Sequence, residues 1–318
     1  MSIKKIITFL LLIFSLTTLG QAKKFIRQAN RTTDLNKKVE LYSQAIELEP
    51  ENLDALFYRA LAKTELGDLS GAAVDYSKII LIKPDPDSYF NRGNIRYSLQ
   101  EFETAKEDYQ KAFELDPLFV DALFSLACVE FDLEDYENAI LHYTKVIELQ
   151  PNYPKVYTLR ASAFNALDNF KKAIEDYTYA ILIEGTPESY INRGLCLLGI
   201  NYYKEAYLDF NKALKVDNGN SYAFFFRGTS GLLLGDFDGA IADLNKALSY
   251  DSEDFDALLG LAITYLRKDN LNYAKLNFEK AKEVLKIKTD DIEAYKSTFW
   301  YQNQYFFFVN KLKELQAL

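Results

Sequence analysis

At 318 residues, with 49% hydrophobic and 26% charged side chains, the chain has the make-up of a folded protein and the length of two ordinary domains or one long array. A net charge of −9 without clustered runs of Lys and Arg argues against nucleic acid as the main ligand, since phosphate binding works through counterions released by clustered cations. Seven prolines and 13 glycines against 23 Tyr and 23 Phe argue for long helices packed by rings rather than for linkers.

In chain order, residues 1–22 come first and differ from the rest. Lys4 and Lys5 precede an apolar stretch from Ile6 to Leu19, followed by Gly20 and Ala22, which is the layout of a secretory signal peptide. The stretch is shorter than the roughly 20 residues a helix needs to cross a bilayer, so an N-terminal membrane anchor is the lesser reading. No cysteine lies near the cleavage region, so a lipoprotein is not supported. Cleavage after Gly20 or Ala22 would release an exported protein, periplasmic or otherwise in a bacterial envelope.

Residues 23–52 carry Leu41, Tyr42, Ala45, Ile46 and Pro50, which fit the second helix of a partial N-terminal unit whose first helix would begin near Lys23. Over 53–288 the chain repeats itself every 33 or 34 residues, with units starting near Leu53, Pro86, Val120, Pro154, Pro187, Ser221 and Phe255. One slot in the first helix of each unit holds Ala60, Gly93, Ala127, Ala161, Gly194, Gly228 and Ala262. A slot early in the second holds Ala72, Ala105, Ala139, Ala173, Ala206, Ala240 and Ala274. Small side chains let two backbones approach, and the large residue that follows, Tyr76, Tyr109, Tyr143, Tyr177, Phe210, Leu244 or Phe278, fills the gap beside them. The intra-unit turn reads Leu66-Gly67-Asp68, Leu133-Glu134-Asp135, Leu167-Asp168-Asn169 or Leu234-Gly235-Asp236, where Gly supplies a left-handed residue and Asp or Asn caps the next helix.

A 34-residue period with these slots resembles the tetratricopeptide repeat (TPR) family. The resemblance implies an all-α fold: a right-handed superhelical solenoid of antiparallel helix pairs, with about seven full repeats plus partial terminal units. Each hairpin would be stabilised by stacking on its neighbours. Residues 289–318 read as a degenerate repeat or C-terminal capping helices, with Ile292, Tyr295 and Phe299 on one helix and Leu312 and Leu315 on another. Trp300-Tyr301 and Tyr305-Phe306-Phe307-Phe308 are too apolar for a simple solvating cap; they either fold back on the last hairpin or form a second contact or dimer surface.

One correlation goes beyond the family pattern. Where the first helix carries Arg59, Arg92, Arg160, Arg193 or Arg227, the second carries Asp75, Asp108, Asp176, Asp209 or Asp243, sixteen residues on. Where the Arg gives way to Leu126 or Leu261, the partner becomes His142 or Asn277. An Arg fork and a carboxylate fit bidentately, so these are expected to be structural ion pairs fixing the register of each hairpin.

Catalytic motifs are missing. His142 is the sole histidine, and no CxxC, GxSxG or GxxxxGK[ST] occurs, so no metal, cofactor or catalytic residue is assigned and a non-enzymatic protein is expected. Gly228, Gly231, Gly235 and Gly239 fall on repeat slots and turns, and paired acids such as Asp85 and Asp87 read as helix caps. Cys128 and Cys196 belong to different repeats, and stacked helices lie roughly 8–10 Å apart, beyond the reach of a disulfide.

The family resemblance implies that the first helices line a concave wall that receives a partner. By that register the wall includes Phe57, Tyr58, Leu61, Phe90, Asn91, Asn94 and Tyr97, then Phe124, Ser125, Cys128 and Phe131. It continues through Thr158, Ser162, Asn165, Ile191, Asn192 and Leu195 to Tyr222, Phe225, Phe226 and Thr229. TPR proteins that grip a terminal carboxylate use a Lys, Asn and Arg clamp; here Asn94 and Lys155 fill two clamp positions, but Phe90, Ser125 and Leu159 occupy others. An aromatic, amide-rich wall suits an extended peptide or amphipathic helix, so the expected function is a scaffold holding a protein or peptide in its groove. The alternative is an envelope enzyme accessory or glycan-binding solenoid, its rings stacking on sugars.

Overall fold

A computed structural model of the protein describes residues 20–288 and 291–318. The apolar core of the expected leader, residues 6–19, lies outside the described residues, as do residues 289 and 290, the first two of the expected capping segment. The described residues are helical and contain no strand. They form two compact units that meet in sequence at Pro151 and Asn152.

The N-terminal unit holds α1 (20–31), α2 (Leu35–Leu48), α3 (Leu53–Glu65), α4 (Leu69–Ile82), α5 (Pro86–Ser98), α6 (Phe102–Leu115), α7 (Val120–Asp132) and α8 (Tyr136–Leu149). The C-terminal unit holds α9 (Pro154–Ala166), α10 (Phe170–Ile183), α11 (Pro187–Gly199), α12 (Tyr203–Val216), α13 (Ser221–Leu234), α14 (Phe237–Leu248), α15 (Phe255–Arg267) and α16 (Leu271–Leu285). A 3-10 turn (Ile292–Tyr295), α17 (Phe299–Asn303) and α18 (Tyr305–Gln316) follow. Leu53, Pro86, Val120, Pro154, Pro187, Ser221 and Phe255 are each the first residue of a helix, as the period predicts. Within each unit, successive helices pack as hairpins and each hairpin packs on the next.

The slot residues explain this packing. The seven second-helix alanines are fully buried, and the large residue after each is at most 4% exposed. Burying one such ring contributes about 2 kcal/mol of transfer free energy. The glycine slots mark the closest approaches: a Cβ on Gly194 would stand 2.7 Å from Phe210 Cε1, and one on Gly93 would stand 2.8 Å from Tyr109 Cε1.

The turn inside each of the seven full repeats contains a left-handed residue, but only two are glycines. Gly67 and Gly235 have φ of 81° and 88°, while Gln100, Glu134, Asp168, Asn201 and Asp269 hold φ between 56° and 66° at the same repeat position. Asp68, Asn169 and Asp236 cap the following helix through their side chains. Asp135 makes no such cap, its carboxylate being taken by Lys106 at 2.8 Å.

Both ends depart from the sequence expectation. Helix α1 already includes Gly20 rather than beginning near Lys23, and its Ala22 and Ala29 are fully buried against the cluster of Leu41, Tyr42 and Ala45. At the other end, Ile292, Tyr295 and Phe299 do not share a helix. Thr298 adopts an extended backbone, its hydroxyl donating to Tyr295 O at 2.8 Å and accepting from Tyr301 N at 3.1 Å, so the chain stops and restarts there. Tyr295, Trp300, Phe308, Leu312 and Leu315 then pack into the core built by α15 and α16. No helix among the described residues is long and apolar enough to cross a membrane.

Candidate partner-binding surface

All five Arg–Asp pairs form with fork geometry. In each, Nε and Nη2 of Arg59, Arg92, Arg160, Arg193 or Arg227 donate to separate oxygens of its Asp at 2.6–2.8 Å. Asp75, Asp108, Asp176, Asp209 and Asp243 are all buried. The bonds that Arg92 and Arg227 donate to Asp108 and Asp243 hold their guanidinium pKa values above the usual range, against desolvation.

Two features of this network went unread in the sequence. The remaining guanidinium nitrogen, Nη1, reaches back to the preceding hairpin: from Arg59 to Ser43, Arg92 to Ser77, Arg193 to Thr178 and Arg227 to Asn211, at 2.8–2.9 Å. These acceptors directly follow the ring slot, so the signal was present one residue beyond the position read. Lys63 and Arg96, one turn after Arg59 and Arg92, add further bonds of 2.8 Å to Asp75 and Asp108.

Where Arg is lost, the pairing changes. His142 pairs with Glu130, one turn beyond Leu126, at 2.6 Å, so that hairpin carries its acid on the first helix and its base on the second. Asn277 donates to Tyr273 O within its own helix, and Leu261 is simply core.

With these charges engaged, the first helices of the N-terminal unit present rings and amides. Tyr58 is 46% exposed and the half-buried Phe57 meets it edge-on, with ring centroids 5.8 Å apart. Phe90 and Phe124 are half-buried, their rings 5.9 and 6.3 Å from Tyr109 and Tyr143 of their own hairpins. Phe131 lies 5.3 Å from Tyr136. The Asn91 amide donates to Asp87 O at 2.8 Å. The Tyr97 hydroxyl donates to Asp132 on α7 at 2.5 Å, a bond that raises its pKa to about 12.

Several expected wall positions prove to be tied to the second helix. Tyr109 Oη donates to Asn94 Oδ1 at 2.9 Å, Tyr143 Oη to Cys128 Sγ at 3.5 Å, and Tyr177 Oη lies 3.1 Å from Ser162 Oγ. The pattern is reciprocal: Leu61 leaves the buried Tyr76 hydroxyl without a partner, and Leu244 leaves the buried Thr229 hydroxyl without one. Neither Cys128 nor Cys196 is in a disulfide, and burial raises the Cys196 pKa to about 11.

In the C-terminal unit the expectation for Phe225 and Phe226 needs correction. They are only 7% and 8% exposed because Phe299 of α17 lies across them, its ring centroid 5.6 and 5.5 Å from theirs. Asp256 anchors that segment, its carboxylate accepting from Phe299 N at 2.9 Å and its carbonyl from Trp300 Nε1 at 2.8 Å. Tyr222 remains 70% exposed, and Asn192 is half-buried on α11.

Comparison with known proteins agrees with this architecture. Family profiles described as tetratricopeptide repeat match residues 39–89, 86–119, 120–153, 187–220 and 232–281. Among curated relatives, a STIP1 homolog of Dictyostelium discoideum is 32% identical over 101 residues, covering 30% of this chain and 18% of that protein. Hsp70-Hsp90 organizing protein 3 of Arabidopsis thaliana is 34% identical over 80 residues, covering 25% and 14%. The chain thus spans less than a fifth of either relative. Among solved structures, the C-terminal part of a TPR repeat-containing protein from Cytophaga hutchinsonii superposes with a TM-score of 0.63 at 16% identity, covering 76% of this chain and 98% of that one. YrrB, described as a TPR protein with an unusual peptide-binding site, gives 0.51 at 19% identity, covering 58% and 94%. At such identities the structures speak for the fold alone. Taken with the period, the small-residue slots and the stacked hairpins, profile matches over more than half of its length make this chain a member of the tetratricopeptide repeat family.

Proposed function

We propose that the chain is a non-enzymatic scaffold that holds a peptide or protein segment against the first helices of its N-terminal unit, in a bacterial cell envelope. The observation that carries this reading is the series Phe57, Tyr58, Phe90, Asn91, Tyr97 and Phe124, partly exposed rings and an amide on α3 and α5, where Arg59 and Arg92 are already paired, and on α7, which carries no arginine. Rings of this kind serve as anchors, and amides bond the backbone of an extended segment. Similarity to a protein named as an Hsp70-Hsp90 organizing protein supports protein or peptide as the ligand class, and the similar fold of YrrB, a TPR protein with a peptide-binding site, is consistent with it.

Export rests on Lys4, Lys5, the apolar run Ile6–Leu19 and the small residues Gly20 and Ala22. Because Ala22 is buried in the first hairpin, cleavage after Gly20 keeps that core and cleavage after Ala22 removes part of it. Fractionation with N-terminal sequencing tests this: a processed envelope protein beginning at Gln21 fits, and an unprocessed cytoplasmic protein does not.

The binding reading is tested by affinity capture from envelope extract, using the exported chain beside a variant with Phe57, Phe90 and Phe124 changed to Ser. A protein retained by the first and lost by the second fits the reading, provided the variant keeps its melting transition. Equal retention by both would move the interface elsewhere.

A further inference from the structure

The C-terminal unit contains a cavity of about 590 Å³, bounded by the first helices α9, α11 and α13 and closed by α17. This lies within the range of roughly 300–1,000 Å³ typical of small-ligand sites. Its polar lining is almost uncharged. Asn165, Asn192, Gln302 and Asn303 contribute amides, and among the described residues Asp168 is the only charged one that lines it. Phe226, Phe299 and Leu195 supply apolar lining.

The hydrogen-bonding capacity of this lining is largely unspent. Gln302 Nε2 and Asn303 Nδ2 donate to Lys296 O and Phe299 O at 3.1 and 3.2 Å, which leaves their amide oxygens as acceptors. Among the described residues the side chains of Asn165 and Asn192 bond no other protein group, so each keeps both an acceptor and donors. Asp168 holds a left-handed backbone, φ 56°, at the turn between α9 and α10, which sets its carboxylate at the cavity edge.

An anionic ligand would find no cation among these side chains, and a cationic one would find a single exposed acid. Groups that donate and accept side by side match adjacent hydroxyls, which do the same. The half-buried Phe299 ring, negative in its quadrupole face, matches the weakly positive C–H face of a sugar ring. We propose that this cavity binds a neutral saccharide of one or two pyranose rings, with the C-terminal segment forming its fourth wall. The assignment goes beyond the peptide reading, which concerns the N-terminal unit.

The test titrates the full chain with maltose, cellobiose and N,N′-diacetylchitobiose, and with the neutral peptide acetyl-Ala-Phe-Asn-Ala-amide as the competing class. Calorimetry gives affinity, and Trp300, the single tryptophan, reports locally because its ring centroid lies 5.6 Å from that of Phe299. At least one disaccharide should bind saturably, change the Trp300 emission and keep its affinity as salt rises, as a neutral ligand must. Asn192→Ala should weaken it about two- to tenfold, the scale of one lost hydrogen bond to a neutral ligand, with an unchanged melting transition. Phe90→Ser, in the other unit, should leave it unaltered. No disaccharide binding at about 10 mM would overturn the proposal. So would binding of the peptide alone, abolished by Asn192→Ala.

Discussion

Arg193 grips both carboxylate oxygens of Asp209 at 2.7 Å and reaches Thr178 of the preceding hairpin at 2.9 Å. One side chain therefore fixes the register of its own hairpin and the stacking of that hairpin on the preceding one. Arg193→Leu strands a buried carboxylate and should cost about 3–5 kcal/mol, the usual range for a broken buried pair. Adding Asp209→Asn should recover more than about 1 kcal/mol of that loss, since the stranded charge is gone. Urea melts of the two single variants and the double variant measure the coupling, and simple additivity would contradict it.

The left-handed turn positions make a second test. Gln100 and Glu134 hold φ of 62° and 61° where two other repeats use glycine. A side chain costs about 1–2 kcal/mol in that conformation, offset in part by the greater entropy that glycine has in the unfolded chain. Gln100→Gly and Glu134→Gly should each stabilise by about 0.5–1 kcal/mol. A lower melting temperature for both would contradict the account of the turn.

Ala206 is fully buried where α11 and α12 cross, so Ala206→Trp should overpack that hairpin. The expected cost is about 1–3 kcal/mol, read as a lower denaturant midpoint at unchanged slope. Tolerance without loss would mean that the small-residue slot does not set the helix approach.

Asp256 links stability to pH. Burial, its largest influence, pushes the carboxyl up to about 7 against the opposing hydrogen bond from Phe299 N–H, and burial also raises its neighbour Asp254. A carboxyl raised on folding favours the protonated native state. Its stabilising contribution is therefore complete below the unfolded value of about 3.9 and is lost as pH rises through about 7. The C-terminal unit should melt lower at about pH 7.5 than at about pH 5, and Asp256→Asn should flatten most of that difference. An equal decline in the variant would assign it to other groups.

The fold was legible because its determinants repeat. Alanine recurs at one crossing in all seven units, and Pro86, Pro154 and Pro187 open helices where their missing N–H costs nothing. The ion pairs were legible through joint retention and loss. Glu130 escaped because it sits one turn past the Arg slot, so a fixed sixteen-residue spacing could not find His142's partner. The covering of Phe225 and Phe226 was not legible, since Phe299 begins a short helix outside the repeat and no periodicity connects it to α13.

The central claim is that the first-helix face of the N-terminal unit receives the partner, and site-specific photo-crosslinking in cells tests it most directly. A photoreactive residue replaces Phe90 on that face in one strain, and in another it replaces Leu141, which is 61% exposed on the second helix of the α7–α8 hairpin. The account predicts a discrete protein adduct from position 90 and none from position 141. The reverse outcome, or the same adduct from both, would contradict it.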